Sequence, residues 1–338
     1  MTPMFRIMRG GNDVTGNLND RLIELDLVEH ARGETDTLTL KLDDRDFAVK
    51  LPSRGDEISL AIGYKESGLV DKGILHVSDT GGRGPPFEVE IHAKSASQRD
   101  DQKSQRADIH QKKSLKDIVE TIAKRHKLTP KVGEGFDNVK WDILNQTEES
   151  DWHALHCLAR DNDATFAVKN GALIFNPTAS GKSAGGQSMQ TITIQKTDLI
   201  AYTFSANDRP KHKEVQGHWF DKKTGKRVKE KATSKASSSD PDGATFFLRH
   251  LYPDSDKAKK AAESKLRELE RGEGTVHIEI EGNANIVADG NVQIQTGRTG
   301  LDGQWNVKTV THSISAEGFR TKIDAEAKDS VGAKGNTE

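Results

Sequence analysis

Runs of alternating apolar and polar residues fill the first hundred residues of this chain and constrain its fold more than any other feature. The apolar members of these runs are Ile23, Leu25 and Leu27; Leu38, Leu40 and Leu42; Ile58, Leu60 and Ile62; and Phe87, Val89 and Ile91. Successive side chains of a strand point to opposite faces, so a period of two predicts strands that bury one face. Several short strands of this kind, separated by Gly and Pro, favour a barrel or a sandwich.

The pattern changes after the first β region, where residues 98–113 are polar and carry no period. Ser114 then suits the cap of a helix with an apolar stripe, and a second helix is predicted to start at Ser150. Asn170-Gly171 separates two short apolar runs, which predicts a hairpin. Residues 98–176 therefore look like a small α/β region between β regions.

A third helix is predicted from about Ser255 to Arg271, with Gly272 as its C-cap. Two polar segments are predicted to be mobile loops because they are rich in Gly, Ser and Lys. They are residues 178–190 and residues 231–243. Strand-like alternation resumes between these segments and after the helix.

Three segments of the first β region are echoed, in the same order and at similar spacing, near the end of the chain. The paired segments are residues 55–60 and 290–294, 73–77 and 303–307, and 87–91 and 319–323. Two interpretations stay open. Any two strand-turn-strand stretches share such features, or the chain carries a duplicated barrel fold.

The sequence thus predicts an α+β, mainly β chain with two related β-barrel-like domains and an intervening small α/β domain. The predicted bounds are 1–97 for the first barrel, 98–190 for the middle domain, 191–330 for the second barrel with a loop and helix inserted at 221–272, and 331–338 for a flexible tail.

Composition argues against several classes of function. Fifty Lys and Arg against 52 Asp and Glu leave a net charge of −2, without the basic excess that a generic nucleic-acid binder needs. Cys157 is the single cysteine, so an intrachain disulfide is impossible and a reducing cytosol is the natural folding compartment. The N-terminus leads into no apolar run, and no stretch approaches the ~20 apolar residues of a membrane span.

The tightest group of candidate metal ligands lies in the predicted second helix. His153, His156 and Cys157 are spaced so that one helical face could present two of them, and Asp151 or Asp161 could add another. The simpler interpretation is an amphipathic helix in which Cys157 is a small buried residue. The sequence therefore predicts no metal site and no cofactor.

Two further patterns resemble catalytic sites but lack essential parts. Ser180-Gly181-Lys182-Ser183 resembles the end of a phosphate loop, but Asn176 stands where that pattern needs Gly and no helix is predicted to follow. Acidic residues around the second helix could form a hydrolase pair, although such residues also complement a helix N-terminus. No catalytic residue is predicted. The acidic residues are Glu148, Glu149, Asp151, Asp161 and Asp163.

Residues 146–160, Ala164-Thr165-Phe166 and residues 171–177 together resemble the core of the phage late control D family. These are hub proteins of contractile tails, and they share a fold with the N-terminal part of type VI secretion spike proteins. The resemblance extends, by arrangement more than by residues, over roughly 5–328. It implies two barrels around an α/β region, and a ring of three chains whose six barrels join a sixfold tail tube to a threefold spike.

The resemblance implies a non-enzymatic baseplate hub in a virion or tailocin particle, assembled in the host bacterial cytoplasm. Its expected partners are two further copies, the tail tube protein, the central spike protein and other baseplate proteins, with the tape measure protein as an additional candidate. Because the chain stops at Glu338, the spike is expected to be a separate polypeptide. The alternatives are a tail-associated cell-wall hydrolase acting through Glu149 and Asp151, and a host-binding adhesin.

Overall fold

The computed structural model describes residues 1–95, 104–169, 171–181, 189–206, 212–234, 244–271 and 274–327. The strands in chain order are β1 (Pro3–Arg9), β2 (Asn12–Asp13), β3 (Leu22–His30), β4 (Thr37–Asp43), β5 (Glu57–Tyr64), β6 (Gly68–Arg83), β7 (Glu88–Ser95), β8 (Gln105–Ser114), β9 (Thr129–Val132), β10 (Lys140–Ser150), β11 (Ala164–Lys169), β12 (Ala172–Pro177), β13 (Ile192–Gln195), β14 (Leu199–Ala206), β15 (His212–Asp221), β16 (Lys226–Thr233), β17 (Ala244–Tyr252), β18 (Gly274–Glu281), β19 (Asn291–Gln295), β20 (Gly303–Ser315) and β21 (Gly318–Ala327). The helices are α1 (Thr15–Leu18), α2 (Leu115–Arg125), α3 (Asp151–Asp161) and α4 (Ser255–Arg271). The mainly β class predicted from the sequence is confirmed.

Strands from the two ends of the chain form one sheet of 13 strands. Its main path runs β14-β18-β21-β20-β3-β4-β7-β6-β5-β1-β2, and β19 and then β13 branch from β20. Both predicted β regions are therefore present, but they are not separate barrels. Strands β3 and β20 pair edge to edge, and the pairings among the described strands run on from one region into the other.

The two β regions repeat one strand order. We call β1 and β3 to β7 the first unit, and β13, β14 and β18 to β21 the second unit. Across the sheet, the strands of the first unit lie in the order β3-β4-β7-β6-β5-β1, and those of the second unit lie in the order β14-β18-β21-β20-β19-β13. When the six strands of each unit are numbered along the chain, both orders read 2-3-6-5-4-1. One pairing differs in direction, since β1 is antiparallel to β5 whereas β13 is parallel to β19. The duplication suggested by the sequence echo is thus present in the sheet.

The repeat extends to the register of the strands. In both units one residue bulges directly after a valine of the long strand, Val77 in β6 and Val307 in β20. A second bulge follows Leu22 in β3 and Leu199 in β14. Bulges break ladder pairing at defined points and are designed features of a fold, so their coincidence fixes which residues of the two units correspond.

Backbone bonds beside the first bulge repeat as well. The Val77 amide donates to the Asp56 carbonyl over 2.9 Å, and the Val307 amide donates to the Gly290 carbonyl over 2.9 Å. The residues that the sequence echo aligns are therefore structural equivalents.

The middle region is built around α2 and α3. Ser114 caps α2: its hydroxyl accepts from the Asp117 amide at 3.2 Å, while the Asp117 carboxylate accepts from the Ser114 amide at 2.9 Å. Ser150 caps α3 through one bond, in which its hydroxyl accepts from the His153 amide at 3.2 Å. The polar segment in which the sequence shows no period contains a strand, β8, which pairs along most of its length with β10.

Helix α4 covers a separate sheet formed by β15, β16 and β17. Its apolar face is a row of small residues that includes Ala258, Ala261 and Ala262, all buried. The row lets the helix lie close to β15, where a Cβ on Gly217 would lie 2.6 Å from the Ala258 carbonyl oxygen. Gly217 is therefore required by the close approach of the two elements.

Several sequence predictions fall outside the described residues, namely Asn170, Gly272, the loops at 182–188 and 235–243, and the tail from 328. The hairpin expected beside Asn170 is formed by β11 and β12. No described helix is both long and apolar enough to span a bilayer.

Candidate assembly interface

The two units meet along β3 and the C-terminal half of β20. This antiparallel seam runs from the pair His30 and Thr309 to the pair Glu24 and Ser315. The Ala31 amide extends it by donating to the Lys308 carbonyl over 2.9 Å. We call this pairing the internal seam.

Side chains on both strands of the internal seam are buried. Leu25 and Leu27 of β3 are 0% and 1% exposed, and His312 of β20 is 0% exposed. Phe319, at the start of β21, belongs to the apolar core of the first unit, where its ring centroid lies 5.4 Å from that of Tyr64. The second unit therefore inserts an aromatic side chain into the first, in addition to pairing with its edge.

A buried ion pair lies within the first unit, directly beside the internal seam. Lys72 Nζ lies 3.2 Å from Glu29 Oε2, and both side chains are almost completely buried. His312 lies beside the pair, with Nε2 3.1 Å from Lys72 Nζ and Nδ1 3.1 Å from Thr321 Oγ1. Burial and the neighbouring Lys72 lower the pKa of His312 well below its usual value, so the imidazole is neutral. Burial also lowers the pKa of Lys72, against the attraction of Glu29.

The middle region contacts both units next to this ion pair. A cavity of about 410 Å³ lies at this corner, with walls from all three parts of the chain. Lys169 Nζ lies 3.1 Å from Asp36 Oδ2 of the first unit. Thr165 Oγ1 donates to Asp289 Oδ2 of the second unit over 2.9 Å. Polar bonds therefore fix the middle region against each unit.

Helix α4 closes the same corner through its C-terminal arginines. Arg271 and Arg267 contact the Asp163 carboxylate at 2.5 Å and 2.7 Å. Arg32 of the first unit pairs with Glu326 of the second unit nearby. The α4 sheet is thus held to the middle region by charge, while the two units are held together by the internal seam.

The sequence pattern missed the buried ion pair, although it held one signal. Glu29 continues the register of Leu25 and Leu27, so an acidic residue occupies a position that the alternation assigns to the core. A buried carboxylate requires a partner. Nothing local indicates that this partner is Lys72, because β6 and β3 are not adjacent strands.

Asp151, which the sequence offered as a ligand or a hydrolase carboxylate, is buried at the start of α3. Its oxygens lie 2.7 Å from Arg125 Nη1, 2.8 Å from His126 Nε2 and 2.9 Å from Gln146 Nε2. Burial would raise the pKa of Asp151, but these bonds outweigh burial and lower it. Asp151 therefore orients three side chains inside the middle region.

Of the other candidate ligands, His153 and Cys157 lie together on α3, next to Glu149 of β10, which the sequence offered only as a hydrolase carboxylate. Ligand atoms of Glu149, His153 and Cys157 lie within 4.8 Å of one another. His156 is apart from them, with its ring centroid 6.4 Å from that of Phe166. Burial raises the pKa of the Cys157 thiol, which disfavours the thiolate that a metal needs. Asp161 bonds to Arg160. The absence of a metal site stays a prediction.

The phosphate-loop resemblance is not supported in its described part. Ser180 and Gly181 follow a turn after β12, and Lys182 and Ser183 lie outside the described residues. Asn176, which stands in place of the required glycine, is the fifth residue of β12 and is buried.

These features define a structural protein built from two equivalent β units, and the comparisons with known proteins agree. A family model described as phage tail baseplate hub (GPD) matches residues 36–318, well over half of the chain. The chain belongs to this family, which confirms the resemblance drawn from residues 146–177.

Two curated relatives lead to the same family. The chain is 29% identical over 364 residues to the probable baseplate hub protein of Escherichia phage 186, and equally identical to the probable baseplate hub protein of Escherichia phage P2. Each alignment covers 97% of this chain and 94% of the relative.

Solved structures share the fold at low sequence identity. The 43 kDa tail protein of prophage MuSo2 from Shewanella oneidensis matches with a TM-score of 0.71 and 13% identity, over 97% of this chain and 99% of that protein. A tail protein from Neisseria meningitidis MC58 matches with a TM-score of 0.71 and 12% identity, over 98% and 99%. The E. coli c3393 protein, a component of the type VI secretion system, matches with a TM-score of 0.54 and 10% identity, over 90% and 73%.

Proposed function

We propose that three copies of this chain form a closed ring of six equivalent β units at the centre of a tail baseplate. The observation that carries the proposal is the shared strand order and register of the two units. A ring of three chains with two equivalent units each presents six similar surfaces on one side while keeping threefold symmetry. Such a ring joins a sixfold tail tube to a threefold spike.

The proposed partners follow from this geometry. The tail tube protein docks on one side of the ring and the central spike protein on the other, with other baseplate proteins around it. The tape measure protein is a further partner inside the tail. The hub is part of a phage or tailocin tail and is assembled in the host bacterial cytoplasm. The proposed domains keep the bounds 1–97, 98–190 and 191–330.

The copy number tests this proposal. Tail particles that contain the chain, quantified by mass spectrometry against labelled peptides of hub and spike, are expected to hold three hubs per tail. The spike peptides provide an internal standard, because a threefold spike also contributes three copies. Any other number of hubs per tail contradicts the adaptor role.

We further propose that the chain acts mechanically and not as an enzyme. Asp151 is fully engaged by Arg125, His126 and Gln146, which leaves Glu149 without the paired carboxylate that the hydrolase alternative requires. Pure protein in a peptidoglycan overlay gel is expected to give no clearing. Clearing that disappears in the Glu149→Gln variant would establish the hydrolase instead.

A further inference from the structure

We infer that neighbouring copies of this chain join by strand addition, with the C-terminal end of β6 in one copy pairing antiparallel with β14 of the next copy. This inference rests on the proposed trimer and specifies how its copies contact each other. We call the proposed contact the external seam.

The first step is the incomplete pairing of β6. The N-terminal part of β6 pairs with β5, and β6 pairs with β7 from just before the bulge to its end. In the same way, the N-terminal part of β20 pairs with β19, and β20 pairs with β21 through the bulge to its end. The C-terminal part of β20 has a second neighbour, β3, on its other edge. The corresponding part of β6, residues 78–83, pairs with β7 alone among the described strands.

The second step is the position of β14. Its equivalent, β3, lies between β4 and β20. Strand β14 ends the thirteen-stranded sheet and has β18 as its neighbour among the described strands. The two elements that no second described strand pairs with are therefore the equivalents of the two elements that pair in the internal seam.

The third step is the composition of β14. Soluble proteins protect edge strands with charged residues or proline, which oppose pairing with other chains. The sequence of β14, Leu-Ile-Ala-Tyr-Thr-Phe-Ser-Ala, contains neither. Ile200 is 49% exposed and Tyr202 is 39% exposed, whereas Leu25, the equivalent of Tyr202, is buried. Such an edge suits a strand that another chain covers.

The fourth step is an exposed aromatic residue beside the end of β6. The sequence echo and the strand register make Phe87 the equivalent of Phe319. Phe319 is buried in the first unit, but Phe87 is 41% exposed and contacts Phe47, itself 73% exposed. In the external seam, Phe87 takes the place of Phe319 and packs into the second unit of the next copy.

The register of the external seam follows from that of the internal seam. Val77 and Val307 align β6 with β20, and Leu22 and Leu199 align β3 with β14. Transferring the internal pairs Val310 with Glu29, His312 with Leu27 and Ser313 with Asp26 gives the external pairs Thr80 with Ala206, Gly82 with Phe204 and Arg83 with Thr203.

The alternation of hydrogen bonds selects one pair for a test. Ala31 and Lys308 are a hydrogen-bonded pair, so Asp26 and Ser313 are a non-hydrogen-bonded pair, as antiparallel ladders alternate. Their equivalents Thr203 and Arg83 are then also non-hydrogen-bonded, with Cα atoms about 4.5 Å apart. This spacing is within the range of about 4.4–6.8 Å that a disulfide spans.

The test is disulfide trapping in the full chain with Cys157→Ser as background. Arg83→Cys with Thr203→Cys is expected to convert most of the protein to a covalent trimer under mild oxidation, visible on a non-reducing gel. The matched control is Arg83→Cys with Tyr202→Cys, because neighbouring residues of a strand point to opposite faces. This control is expected to give at least tenfold less trimer.

Each outcome decides a different point. Trimer from the Thr203 pair and not from the Tyr202 pair supports the external seam. A native mass of three chains without the disulfide overturns the seam and leaves the trimeric hub intact. A chain that stays monomeric, or cross-links no further than dimer, also overturns the seam, because strand addition between copies needs no other component. A hub count other than three per tail overturns the proposed function itself.

Discussion

The internal seam and the edges of β6 and β14 that no described strand covers, which we call the open edges, are built from equivalent strands but differ in chemistry. The internal seam buries Lys72, Glu29 and His312. At the open edges, Gly82 stands where β20 has His312, and β14 has no charged residue. The internal seam therefore encloses buried charges, whereas the edge of β14 offers only backbone groups and uncharged side chains. Duplication thus preserved the strand register while the two contact surfaces diverged.

The equivalent aromatics Phe319 and Phe87 give the largest expected contrast. Phe319→Ala is expected to lower the free energy of unfolding by about 3–5 kcal/mol, because it empties a site inside the first-unit core. Phe87→Ala is expected to lower it by less than about 1 kcal/mol, since Phe87 is 41% exposed. Urea denaturation of the two variants measures both values. Equal losses would contradict the assignment of one position to a filled core and the other to an open surface.

The buried ion pair allows the first unit to be weakened beside the internal seam without a change in the open edges. Lys72→Met leaves Glu29 buried without its cation, and removal of one partner of a buried pair costs about 3–5 kcal/mol. The double variant Lys72→Met and Glu29→Met is expected to recover most of this loss, because apolar replacement of both partners is often neutral. The urea midpoints of the single and double variants measure the effect. A double variant less stable than the single variant would refute the pairing.

Acid sensitivity is expected to come from the internal seam as well. The folded-state pKa of His312 is lowered, so the unfolded chain binds a proton that the folded chain does not. The stability contributed by neutral His312 is complete above about pH 6.5 and falls as the pH decreases below it, by up to about 1.4 kcal/mol per pH unit. Urea midpoints between pH 7.5 and pH 5 measure this slope.

A histidine substitution supplies the control for this pH dependence. His312→Asn is expected to reduce the slope below pH 6.5, whatever its effect on stability at neutral pH; the rest of the slope comes from groups such as His110 and His218, whose pKa values burial also lowers. A slope that persists unchanged in His312→Asn would place the acid-sensitive group elsewhere.

The sequence predicted local elements well because their signals are local. Ser114 and Ser150 are at the start of α2 and α3 as expected, and the echoed segments occupy equivalent registers. Strand β8 was missed because it forms a two-stranded ribbon with β10, in which large residues such as Ile109 and Ile143 are exposed and no buried face imposes a period.

The joining of the two units was not predicted, for a different physical reason. Alternation in β3 indicates which face is buried, but not which strand lies at its edge. The partner, β20, follows almost the whole chain later, and pairing over such a separation leaves no local pattern. Similarly, Asp151 looked like a candidate catalytic carboxylate because the sequence does not show that the end of α2, with Arg125 and His126, folds back onto it.

The smallest expected effect is a charge test of the external seam at Thr203 and Arg83. Like charges directly opposite on paired strands are destabilising and opposite charges are stabilising, each by about 0.2–1 kcal/mol. Thr203→Lys places a second positive charge opposite Arg83 of the next copy and is expected to weaken trimer formation. Thr203→Glu is expected to strengthen it. Sedimentation equilibrium at low salt measures both shifts, and unfolding of the chain should change by less than about 0.5 kcal/mol because Thr203 is exposed.

Charge reversal separates the external seam from a general effect of surface charge. Arg83→Glu combined with Thr203→Lys restores opposite charges across the proposed seam and is expected to return trimer formation toward that of the original chain. If the seam used another register, Thr203 would not face Arg83. Arg83→Glu would then add to the loss of trimer caused by Thr203→Lys instead of offsetting it. Because three seams close the ring, each pair contributes three times, so a small pairwise energy becomes measurable in the assembled trimer. The same substitutions at the internal pair, Asp26 and Ser313, would act on folding and not on assembly, since those strands belong to one chain.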